Sequence, residues 1–70
     1  MKVTFGSHNE NAEVQMGSKF TKGGKNWQYF KVFEANNRRS EIAIDLASRS
    51  VARGKASQEF VDAVLKSFGI

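Results

Sequence analysis

The chain contains no cysteine and no proline. Without thiols there is neither a disulfide framework nor a thiolate-rich zinc site, the two staples that most often hold so small a domain together. Packing must do that alone, and at this size a single core supplies only ~3 to 5 kcal/mol, which makes a homodimer a reasonable expectation. Histidine occurs once, as His8, and with no cysteine to act as nucleophile a catalytic triad has no support. Long apolar runs are also missing. Nothing approaches the ~18 residues of a membrane span, and the opening MKVTFGSHNENAEV is too polar for a signal-peptide core. A cytoplasmic protein with no membrane partner is expected.

Acidic residues are scarce where they would matter most. Eleven Lys and Arg against seven Asp and Glu give a net charge of +4 over 70 residues. Residues 19–55 hold nine of the bases and only three of the acids, and the segments on either side are each slightly acidic. From Val14 to Phe33 there is no acid at all, while Lys19, Lys22, Lys25 and Lys31 interleave with Phe20, Trp27, Tyr29, Phe30 and Phe33. Cations mixed with aromatics are the composition of a nucleic-acid surface.

The same segment also reads as a hairpin. Gly23-Gly24 suits a two-residue turn, because both central positions can adopt positive φ. An unbroken register from that turn sets Phe20 opposite Trp27, Met16 opposite Lys31 and Val14 opposite Phe33, with Trp27, Tyr29, Phe33 and Phe20 on one apolar face. A second turn at Asn36-Asn37 then brings Ile42, Ile44 and Leu46 to that face, opposite Lys31, Tyr29 and Trp27. Phe30 and Val32 project from the other side. A first strand near Lys2 to Gly6 and a polar turn at residues 7–11 precede the hairpin.

Toward the C-terminus the period changes. Phe60, Val61, Val64, Leu65 and Phe68 fall at helical spacing, Ser57 suits the N-cap, Glu59 lies in the first turn, and Lys66 and Gly69 mark the end. The expected fold is a single α+β domain over residues 1–70, a small antiparallel meander (ββββα) whose C-terminal amphipathic helix covers the aromatic face. Residues 41–53 also carry a helical stripe, Ile42, Ala43, Leu46, Ala47, Ser50 and Val51. The alternative is therefore βββαα, with a helix pair joined by Gly54-Lys55-Ala56 that resembles a helix-turn-helix.

Catalytic and cofactor chemistry finds little footing. His8, Glu10 and Glu13 do not have the spacing of a metal site, and Gly17, Gly23 and Gly24 miss the phosphate-loop pattern, so neither metal nor cofactor is expected. Two non-enzymatic functions follow. One is a nucleic-acid-binding module in which Lys19, Lys22, Lys25, Arg38, Arg39, Arg49, Arg53 and Lys55 meet phosphates and Phe30 touches a base or groove. The other is a small adaptor or inhibitor, of the kind phages encode, that docks on an acidic host protein through Phe30 and Val32.

Overall fold

The computed structural model describes residues 1–33 and 38–70. Five strands, β1 (Lys2–Phe5), β2 (Glu10–Lys22), β3 (Lys25–Phe33), β4 (Arg39–Asp45) and β5 (Ser50–Arg53), form one antiparallel sheet in sequence order, followed by one helix, α1 (Gln58–Ser67). This is the expected meander with a C-terminal helix, lengthened by one short strand.

Residues 41–53 are the end of β4, a turn and β5, and the βββαα alternative is overturned. The cause is local: the Asp45 carboxylate accepts hydrogen bonds from the Ala47 and Ser48 backbone N–H groups at 2.9 and 3.3 Å. Such a side-chain turn competes with a continuing helix. Arg49, at φ 56°, completes the reversal into β5. The helical stripe is shared between two strands and a turn.

The β2–β3 tip folds as its sequence predicts. Gly23 and Gly24 take φ 58° and 80°, and Phe20 faces Trp27, Thr21 faces Asn26 and Lys22 faces Lys25. Beyond the Lys19–Gln28 rung the register shifts: Gly17 and Ser18 together oppose Tyr29, so that Met16 meets Phe30 and Val14 meets Val32. This is a β-bulge. A Cβ on Gly17 would sit 3.2 Å from the Tyr29 carbonyl oxygen, closer than most side chains come, so the close approach favours glycine. Across β3 and β4, Phe30 pairs with Ile42 and Gln28 with Ile44, one residue away from the register expected of an Asn36-Asn37 turn. That turn itself lies outside the described residues.

A one-residue slip moves a strand's whole side-chain set to the other face. The expectation that Phe30 and Val32 point outward as a partner surface is accordingly corrected: they are 0% and 5% exposed. With Val3, Ala12, Val14, Ile42 and Ile44 they form the sheet side of the core, closed by Phe60, Val61, Val64 and Leu65 of α1. Phe68 stacks at 5.3 Å from Phe30, and Phe60 meets the edge of Phe5 at 4.7 Å. Ser57 caps α1 by accepting from the Phe60 N–H at 3.1 Å. The helix therefore covers the opposite face from the one expected of the uniform register, and among the described residues the sheet's second face carries no helix. β2 also outruns β1: their pairing ends at the Lys2–Glu13 rung, and among the described residues no strand flanks Gln15–Lys22 on that side.

Candidate nucleic-acid interface

The helix-free face is built on β3, whose alternate residues Lys25, Trp27, Tyr29, Lys31 and Phe33 all point away from the core. Cross-strand neighbours set the surroundings of each. At one end Phe20 lies beside Trp27, ring centroids 5.4 Å apart and tilted by 40°, with the Lys25 ammonium 5.2 Å from the indole centroid. Phe20 remains 37% exposed. At the other end the Arg39 guanidinium stands 5.7 Å from the centre of the Phe33 ring. Both are cation–π distances, which orient a positive charge against an aromatic face.

Between these ends stands Tyr29, half-buried. Its neighbour across the bulge includes Gly17, which has no side chain, and its neighbour on β4 is Ala43. Ala43 pairs with Arg53 on β5 and is fully buried, although it lies outside the core beneath α1. Beside Phe33 the surface dips into a cavity of about 530 Å³ lined by Gln15, Lys31, Phe33, Arg39, Ser40 and Glu41.

The cations of this face are Lys2, Lys22, Lys25, Lys31, Arg39 and Arg53, each exposed. Its described acids are occupied or countered. Glu13 is bound by the Met1 ammonium at 2.6 Å, Asp45 is committed to its turn, and Glu41 faces Lys31 across the ladder. The Met1–Glu13 contact is the one ion pair among the described residues.

The cations singled out in the sequence do not all converge. Lys22, Lys25, Arg39 and Arg53 lie on the helix-free face. Lys19 pairs with Gln28 and so points to the helix side, and Lys55 lines a separate cavity of about 480 Å³ with Phe5, Ile42 and Phe60. Arg49 is drawn to the end of α1, its guanidinium donating to the Ile70 carbonyl at 3.0 Å. Arg38 is exposed just before β4. Sequence reasoning missed Lys31 and the aromatic row as site residues. A glycine inside an alternating strand is the sequence signal of a bulge, and applying it at Gly17 exchanges the two faces correctly. Comparison with protein families, curated proteins and solved structures finds no match for this chain.

Proposed function

We propose that this chain is a non-enzymatic nucleic-acid-binding module that engages its ligand on the helix-free face of the sheet. The observation that carries this reading is the placement of Trp27, Tyr29 and Phe33 in one outward-facing column with Lys25 and Arg39 held against the end rings. Aromatic faces flanked by cations supply both parts of nucleic-acid affinity, stacking on bases and neutralisation of phosphates. The hairpin-tip cations Lys22 and Lys25 belong to this surface. Of the strand-to-helix junction it takes Arg53, and Lys55 lies apart from it.

The test is capture from lysate with and without nuclease, paired with titration of labelled oligonucleotides at low and moderate salt. Nuclease-sensitive capture and salt-dependent binding at micromolar protein support the proposal. A partner retained after nuclease, with no oligonucleotide binding, replaces it with the adaptor reading, in which the same face meets a protein.

A further inference from the structure

Given that reading, we infer that the ligand is a single strand, held with its bases unstacked from one another along β3. Residues on one face of a strand are spaced by ~6.8 Å, about twice the ~3.4 Å separation of bases in a duplex strand. Bases seated on neighbouring positions of the column must therefore part from one another. In a duplex the flat faces of each base are already covered by its neighbours, which leaves base edges in the grooves and the charged backbone for a protein to touch. A row of outward-facing rings gains no stacking from such a surface.

The arrangement of the face has two stations and a bridge. Phe20 with Trp27 forms the first station, Phe33 the second, and six residues of β3 place them about 20 Å apart. Trp27, Tyr29, Lys31 and Phe33 give four consecutive positions on the column, so one nucleotide per position means that four span both stations. Tyr29 stands half-buried between Gly17 and Ala43, the smallest residues that flank the column. The phosphates then run past Lys25 and Lys31 in the column itself and past Arg39 and Arg53 on its β4–β5 side. Lys25 and Arg39 lie over the Trp27 and Phe33 ring faces, so a base that stacks there displaces each cation toward its own edge, a movement of side chains alone.

The experiment compares a twelve-residue oligothymidylate with the same strand annealed to oligoadenylate, and adds thymidylates of two, four and eight residues. Trp27 is the one tryptophan, so its emission reports occupancy of the first station directly. The expected results are quenching by the single strand, binding to the duplex at least ten-fold weaker, and a steep gain in affinity between two and four residues. Phe33→Leu, read by Trp27 emission, and Trp27→Leu, read by the anisotropy of a labelled oligonucleotide, should each weaken single-strand binding by roughly five- to a hundred-fold. Phe20→Leu, at an exposed position, repeats the test should Trp27→Leu melt early. Equal affinity for duplex and single strand, or single-strand binding indifferent to all three substitutions, overturns the inference while leaving nucleic-acid binding intact. Absence of binding to every oligonucleotide overturns both.

Discussion

Gln28 donates its side-chain amide across the β2–β3 hairpin to the Gly17 carbonyl at 2.8 Å, and the same nitrogen reaches the Ser18 and Tyr29 carbonyls at 3.1 Å. Gln28 is the one buried polar residue among those described, and its two N–H groups serve three carbonyls at the bulge. The amide does what ladder bonds cannot do where two residues oppose one. It makes the register shift stable, and the shift decides which face receives the helix.

Gln28→Leu keeps the side chain's size and removes its donors. The part-buried carbonyls of the bulge are then left without this partner, at a cost of about 1 kcal/mol. Gly17→Val should act on the same feature by forcing a Cβ to 3.2 Å from the Tyr29 oxygen, destabilising by ~1 to 3 kcal/mol. Thermal or urea melts measure both. If each variant melts with the parent, the bulge contributes nothing to stability.

Phe30→Ala and Phe20→Ala should separate cleanly. Phe30 is fully buried against Phe68, so its truncation costs about 3 to 5 kcal/mol and removes most of the stability of so small a core. Phe20 is a surface residue of the hairpin arm, and its truncation should shift the melt little while reducing oligonucleotide binding. Circular dichroism with temperature, alongside binding titration, distinguishes the two. The reverse ranking would restore the uniform register.

Much of the architecture is legible in the chain itself. The Gly23-Gly24 tip fixes its own pairing, because only glycine enters positive φ freely at two adjacent positions, and Ser57 with the Phe60 to Phe68 stripe fixes the helix. What fails is the extension of a local register over a distance. Each hairpin turn determines its nearest rungs, and a single extra residue at Gly17-Ser18 reverses the meaning of every alternate position beyond it. Both faces of β3 are rich in aromatic or aliphatic residues, so hydrophobic content does not say which one α1 covers. The candidate site inherits that error: the rings expected in the core form the outer face, and Phe30 and Val32 form the core.

Gly54→Ala tests the strand-to-helix junction. Gly54 has φ 86°, and a Cβ there would stand 3.0 Å from the Glu41 carbonyl oxygen and 3.1 Å from Ile42 Cγ2. Both the backbone conformation and the space disfavour a side chain, so a destabilisation of about 1 to 3 kcal/mol is expected by chemical denaturation. An unchanged midpoint would mean that the junction adjusts without penalty.

Salt provides the fourth test. Replacing Lys25, Lys31, Arg39 and Arg53 by Ala should flatten the dependence of log affinity on log salt by about 0.7 for each phosphate of a single strand that no longer meets a cation. Lys66→Ala, on the outward surface of α1, should leave that slope unchanged. A slope that responds equally to Lys66 and to the sheet cations would locate the phosphates elsewhere.

The part of β2 that outruns β1 has a consequence of its own. Gln15–Lys22 presents backbone donors and acceptors along one side with no neighbouring strand among the described residues, and Met16 on that stretch is 47% exposed. An unpaired strand margin that is long and flat is a template on which identical chains add to one another and precipitate. Here the irregularity at Gly17-Ser18 interrupts the flatness, and Lys19 sets a charge beside it. One extra residue thus serves twice: it sorts side chains between the two faces, and it guards the hairpin arm against edge-to-edge growth.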